Sequence, residues 1–262
     1  MNMADNSERL LRRAEELLHR ARMGEVTYTH FLTPGEQRVV LRHLSGAAEE
    51  LCVFGGYKEA ERGRIFFLPP YLCAMEEPYR TQCLAEYYDE CVVSLEIRGS
   101  GYRELSHRDF LGALLHLGVE RDAIGDVCVM APDRAVLFCD RVMVDFFREH
   151  LERVANDAVR VNTVTLPPAF DGGRTFVAVA DTVASPRADA VVAALANLPR
   201  ERAQALLREG LVEIDYEPED RCDRTVVEGS VMVIRGVGKF IIRSLSDKTR
   251  KGRYRLLADR YT

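Results

Sequence analysis

"GDVCVMAPDRAVLFCD" (Gly125–Asp140) holds two β-rich runs, GDVCVM and RAVLFCD, on either side of the turn APD. Val127, Val129, Val136 and Phe138 favour a pleated, half-buried surface, and Pro132–Asp133 interrupt it, so the stretch reads as a hairpin. Its flanks decide the fold. Upstream, "CVVSLEI" (91–97) is another strand, and "SHRDFLGALLHLG" (106–118) is a helix with Ser106 and Asp109 spaced as a capping box and Gly118 as the stop. Downstream, "MVDFFREHLERV" (143–154) is an amphipathic helix and "AVRVNTVTL" (158–166) a last strand. The order is β-α-β-β-α-β, the split ferredoxin-like unit. Enzymes, metal carriers and RNA binders share it, so the order names no function.

The predicted domain therefore spans 91–166, and the rest of the chain arranges around it. Residues 1–90 form an N-terminal helical/αβ region. "MNMADNSERLLRRAEELLHRARMG" (1–24) is charged throughout, lacks the apolar stretch of a signal peptide and reads as an amphipathic helix. A second helix follows, with Thr33 as N-cap, Pro34 at its first position and Glu36 completing a capping box. In "LCVFGGYKEAERGRIFFLPP" the Gly55–Gly56 turn separates an apolar run from a charged helical turn, and RIFFL is a strand stopped by Pro69–Pro70. Residues 167–184 read as a linker punctuated by Pro167–Pro168 and Gly172–Gly173, with TFVAVA as one more candidate strand. From 185 to 262 come two short helices, RADAVVAALAN and PRERAQALLRE, and then the strands LVEID, SVMVIR, KFIIRSL and RYRLL. The expected class is α+β: an N-terminal α/β segment, a ferredoxin-like middle domain and a small C-terminal α+β domain.

Composition limits the function classes. No apolar run approaches the roughly 20 residues that cross a bilayer. The seven cysteines include no C-x-x-C pair, and several sit in apolar runs, which favours a reducing cytosol over a disulfide framework and argues against zinc. The chain is acidic, with 36 Lys+Arg against 41 Asp+Glu. Yet from Arg235 to Arg255 eight basic residues face only Asp247, a local net charge of +7. Such a basic end on an acidic chain is the footprint of a polyanion partner; the competing reading is a solvated strand face.

The helix in "LPRERAQALLREG" (198–210) adds to this. On a helical wheel Ala203, Leu206 and Leu207 form a buried stripe, and Arg200, Gln204 and Arg208 line an arc beside it. Guanidinium forks match phosphate oxygens, and an amide can reach a sugar or base edge. Strands returning beside this helix would make one continuous basic face. A surface helix carrying arginines for solubility is the alternative.

"RADAVVAAL", "LPRERAQALLREGLVEID" and "VVEGSVMVIRG" resemble the S4 RNA-binding domain, whose usual Arg-Leu-Asp start is matched by Arg187, Ala188 and Asp189. Together with "FGGYKEAERGRIFFLP", "LSHRDFLGALLHLGVERDAIGDV" and "RGVGKFIIRSLSDKTRKGRYRL", the chain resembles the YlmH family of bacterial and plastid S4-domain proteins over nearly its whole length. The resemblance implies a non-catalytic cytoplasmic RNA-binding protein. It would act in ribosome-associated quality control, on a large ribosomal subunit that still carries peptidyl-tRNA. The implied partners are rRNA or tRNA and that subunit, with no membrane, no cofactor and a monomeric state. The candidate RNA-binding residues are Arg187, Arg200, Gln204, Arg208, Arg235, Lys239, Arg243, Lys248, Arg250, Lys251 and Arg253. Two departures stand out: Pro199 replaces the usual serine cap, and Asp215–Tyr216 replaces Asn-Gly. The acidic "EIDYEPED" (213–220) would have to point away from RNA.

Other motifs carry less. "GVGKF" (236–240) lacks the spacing of a phosphate-binding loop and reads as a turn with an available lysine. His107 and His116 do not share a helix face. Gly112 reads as a close helix–sheet packing point and Gly125–Asp126 as a turn. Phe138 is the sole aromatic of the two central strands, so the stacking pair of RNA-recognition sheets is missing. No catalytic set stands out. The rivals are a pseudouridine-synthase-like RNA-modifying enzyme and an interaction factor in cell division or photosystem assembly.

Overall fold

A computed structural model describes residues 3–245, 249 and 252–261. The chain divides into two compact units, Met1–Gly173 and Arg174–Thr262. Among the described residues the architecture is mixed α+β with three antiparallel sheets, and no helix is long and apolar enough to cross a membrane.

The first unit opens with α1 (Met3–Arg22), whose stripe of Ala14, Leu17, Leu18 and Ala21 is buried. The short β1 (Thr27–Tyr28) and then α2 (Pro34–His43) follow. The capping box forms as expected: the Glu36 amide donates to Thr33 Oγ1 at 3.3 Å, and the Thr33 amide donates to Glu36 Oε2 at 2.8 Å. The strands β2 (Leu51–Phe54) and β3 (Arg64–Phe67) complete a sheet of order β1-β3-β2. The charged segment between them is an irregular loop, not the expected helical turn. The Asp126 carboxylate accepts hydrogen bonds from the Glu61 amide (2.8 Å), the Arg62 amide (3.0 Å) and the Tyr57 hydroxyl (2.8 Å), so these amides are aimed at a side chain and cannot serve a helix. Gly56 makes the loop's close approach possible. Its φ is +104°, and a Cβ there would lie 2.1 Å from the Phe138 ring. The short α3 (Pro70–Cys73) and the longer α4 (Tyr79–Cys91) lead into the central sheet.

That sheet contains β4 (Val92–Gly99), β5 (Ile124–Ala131), β6 (Arg134–Asp140), β7 (Arg153–Val154) and β8 (Asp157–Thr163), with α5 (His107–His116) between β4 and β5 and α6 (Val144–His150) after β6. The order is β5-β6-β4-β8-β7, every pair antiparallel. The Ser106–Asp109 capping box is present, and Gly118 turns the chain at φ +81°. Three expectations fail locally. The second helix stops at His150 because the chain enters the β7–β8 hairpin, with Ala155 at φ +51°. Gly125 and Asp126 both face Phe138 alone, as Ile124 pairs with Cys139 and Val127 with Leu137; they form a bulge inside β5 rather than a turn. Gly112 is not a packing point, since a Cβ there would meet nothing within 4 Å.

Both faces of this sheet are covered. On one, Leu95, Ile97, Leu137 and Cys139 pack with Phe110 and Leu114 of α5 and Phe147 of α6. On the other, Val92, Cys128, Val136 and Phe138 pack with Phe31, Tyr57, Phe66, Leu68 and Leu84 from the first ninety residues. Burial pushes the Cys139 thiol up to about 12, with Asp140 adding to it, so this cysteine behaves as a small hydrophobe.

In the second unit the segment expected as linker supplies β9 (Phe176–Val183), longer than TFVAVA suggests. Then come α7 (Ala188–Ala196), α8 (Arg200–Arg208), β10 (Val212–Ile214), β11 (Glu217–Pro218), β12 (Val231–Ile234), β13 (Gly238–Ser244) and β14 (Tyr254–Tyr261). The sheet order is β11-β10-β12-β13-β14-β9, and β9 pairs β14 over eight positions. Val191, Val192, Leu195, Ala203, Leu206 and Leu207 of the two helices share a core with Val212, Ile214, Met232, Ile234, Phe240, Ile242, Leu256 and Ala258. The helices therefore cover one face only.

Candidate nucleic-acid interface

The candidate residues of the second unit fall into separate groups. The first surrounds Asp189, whose side chain is fully buried at the start of α7. Arg200 donates to it through Nε and Nη2, each at 3.0 Å; Gln204 Nε2 donates at 3.0 Å and Arg187 Nε at 3.3 Å. Burial alone would raise the carboxyl pKa, but the hydrogen bonds from Gln204, Arg187 and Arg200 outweigh it and hold the group below its usual range. The i, i+4 spacing of Arg200 and Gln204 thus serves a bracket between two helices. The Arg200 fork expected for phosphate is engaged by a carboxylate of the same chain. Pro199 is the N-cap residue of α8 and makes no side-chain cap bond, so it lies just outside the helix.

The second group lies at the other end of α8. Arg208 is exposed and makes no ion pair or side-chain hydrogen bond among the described residues. Gly210 turns the chain at φ +68°, and the Arg235 amide donates to the Leu211 carbonyl at 2.9 Å. This bond brings the β12–β13 turn, with exposed Arg235, to the end of α8. Arg202 is 3.9 Å from Glu209 and faces elsewhere.

Lys239 and Arg243 do not join that edge. They alternate along β13 with buried Phe240 and Ile242, so period-2 geometry sends them to the face away from the helices. The expected single basic face is therefore not formed. Arg243 Nε donates to Asp259 Oδ2 at 2.7 Å, and its Cζ lies 5.7 Å from the Phe176 centroid. Lys239 Nζ is 5.1 Å from the Tyr216 ring centroid and 4.7 Å from that of Tyr261. Arg253 is tied to β9, its Nε donating to Thr182 Oγ1 at 3.0 Å. Lys248, Arg250 and Lys251 lie outside the described residues.

The acidic stretch 213–220 is partly neutralised from within. Glu219 accepts from Arg224 Nη1 at 2.6 Å and from the Arg221 amide at 2.9 Å; against the upward pull of burial, these keep its pKa below the ordinary value. Asp215 accepts from the Val231 amide at 3.0 Å and lies 3.5 Å from Arg224. The sequence reading missed Arg221 and Arg224; their alternation with Glu219, Asp220 and Asp223 was the available signal. Asp215 and Tyr216 themselves form the two-residue turn between β10 and β11, at φ +57° and +65°. Asn-Gly is the usual solution there, and a residue with a Cβ costs about 1 kcal/mol or more at each such position.

In the first unit, Phe138 is 1% exposed, its ring centroid 5.0 Å from Tyr57 and 5.9 Å from Phe170. The sheet surface that would read RNA in an RNA-recognition fold is thus closed by the protein itself. No group of three or more His, Cys, Asp or Glu side chains suited to a metal converges among the described residues.

Residues 91–167 match a family model described as "Putative RNA-binding domain in YlmH". Over 238 residues the chain is 31% identical to a Bacillus subtilis (strain 168) protein named "Ribosome-associated protein quality control protein P2", covering 88% of this chain and 86% of that protein. The chain belongs to the YlmH family. A solved structure titled "Cell division protein ylmH from Streptococcus pneumoniae" aligns with a TM-score of 0.48 at 20% identity, over 65% of this chain and 97% of that one. In this YlmH-family chain the family model falls on the unit whose sheet is closed on both faces, while exposed Arg208 of α8 and exposed Arg235 of the β12–β13 turn lie in the other unit.

Proposed function

We propose that this chain is a non-catalytic RNA-binding protein of ribosome-associated quality control. It binds structured rRNA or tRNA on a large ribosomal subunit carrying a stalled peptidyl-tRNA. The observation that carries the reading is the end of α8, where exposed Arg208 is unpaired among the described residues and exposed Arg235 is held close by. Such guanidinium groups are ready to neutralise phosphates. The family name and the relative's printed name support the RNA and ribosome parts of the reading. In it, 1–90 is the N-terminal region, 91–166 a ferredoxin-like domain that the N-terminal region buttresses, 167–184 the connection and 185–262 an S4-type domain. Arg187, Arg200 and Gln204 hold that domain's helices together. Arg208 and Arg235 face phosphate, with Lys239, Arg243, Lys248, Arg250, Lys251 and Arg253 adding positive field.

Co-sedimentation of the Arg208→Ala/Arg235→Ala double variant with purified large subunits tests this. Binding should weaken and lose salt sensitivity, because fewer counterions are released. Unchanged sedimentation across a salt series would remove these residues from the interface.

A further inference from the structure

The face of the six-stranded sheet turned away from α7 and α8 carries rings and cations in one strip. Tyr261 and Phe176 are cross-strand partners, with centroids 5.0 Å apart at 66°. Lys239 lies between the rings of Tyr261 and Tyr216, Arg243 lies over Phe176, and the Arg174 guanidinium is 5.9 Å from the Tyr261 centroid. Phe176 is 39% exposed, and Leu257 on the same face is 48% exposed. We propose that this strip is a stacking platform for unpaired RNA nucleotides, distinct from the α8 edge. The inference rests on the reading of the second unit as RNA-binding and adds the class of RNA taken.

Three observations converge. Aromatic rings beside cations are what a single strand requires: bases stack on the rings while ammonium and guanidinium groups meet the backbone. A duplex offers no free base face, so the platform selects unpaired RNA. The charge pattern fits a polyanion, since Lys239, Arg243 and Arg255 stand on this face beside Glu213 and Asp259, and Asp259 is matched by Arg243. Finally, Tyr216 holds its ring beside Lys239 from a backbone at φ +65°, where glycine is the comfortable residue. Strain kept in a turn for the sake of a ring suggests that the ring has a task.

The test measures fluorescence anisotropy of the full chain with fluorescein-labelled oligouridine and, in parallel, with a labelled blunt RNA duplex. Tyr261→Leu and Phe176→Leu should each weaken oligouridine binding about tenfold, the usual weight of a stacked base, with duplex binding unchanged. Tyr216→Gly is the folding control. It should lose oligouridine affinity several-fold while its Tm holds or rises, because glycine accepts the positive φ. A 4-thiouridine crosslink should map to Tyr216 or Tyr261. Unaltered oligouridine affinity in all three variants overturns the platform. So does a variant that changes only sedimentation with ribosomal subunits, which would make the face a protein dock. A wild-type chain that binds duplex but not oligouridine removes the platform alone; one that binds neither removes the RNA-binding reading beneath it.

Discussion

The two larger sheets of this protein are built from similar strands but meet their surroundings differently. The five-stranded sheet has α5 and α6 on one side and the aromatic residues of the first ninety positions on the other. The six-stranded sheet has helices on one side only, and its other side alternates Lys239, Ile241 and Arg243 with the core. An antiparallel sheet tolerates either arrangement. A sheet closed on both faces can offer a partner only its rims and helices, whereas an open one can offer side chains in register. An RNA-binding label on residues 91–167 therefore points to surfaces other than their strands.

The strongest way to break this comparison is Phe138→Ala. The ring is fully buried against Tyr57 and Phe170, so its loss should cost about 4 kcal/mol in chemical denaturation of the first unit. RNA affinity per folded molecule should stay constant. A selective loss of affinity without a loss of stability would show that the ring faces RNA after all.

Asp189→Ala comes next. It strips Arg187, Arg200 and Gln204 of their shared acceptor and should destabilise the second unit by about 3 kcal/mol. Denaturation followed by hydrogen exchange should place the loss in α7 and α8 and leave the first unit unaffected.

Acid should act on the same unit. The Asp189 and Glu219 carboxyls are depressed in the folded state, so the unfolded chain takes up their protons first as pH falls. Their stabilisation is complete above the ordinary carboxylate range, about 3.9 to 4.3, and is lost as pH falls through the lower folded values. Thermal melts from pH 6 downward should show the second unit weakening below about pH 4, and Asp189→Asn should flatten its part of that dependence.

The smallest effect belongs to Arg208→Ala. Its side chain is exposed and unpaired among the described residues, so stability should change by less than about 0.5 kcal/mol. RNA affinity should fall a few-fold, and the slope of log affinity against log salt should decrease by about one. An unchanged slope would take Arg208 off the phosphate backbone.

Much of the fold was legible because local signals agreed. The Thr33–Glu36 and Ser106–Asp109 caps, the APD hairpin and the buried Ala203–Leu206–Leu207 stripe all depend on residues within one or two turns. The misses depend on distant partners. The loop at 57–62 looks helical until Asp126 takes its amides. Arg200 and Gln204 look like a reading edge until a buried aspartate eleven and fifteen residues away accepts their hydrogen bonds. The helix α4 is nearly unmarked, burying only Leu84 and Cys91. Which face of β13 its cations occupy follows from alternation, but that α8 lies on the opposite face is a matter of topology. No single stretch of sequence displays it.

The pairing of β9 with β14 has a practical consequence. A fragment cut at residue 185, where the helical pattern begins, would lack β9 and leave β14 unpaired on the side away from β13. An uncovered strand edge is a template for another copy of itself. The fragment beginning at Arg174 ends in an edge of the same length, its own β9, so the two should differ by the core residues Val179 and Val183 lost in the shorter one, which should melt at a lower temperature.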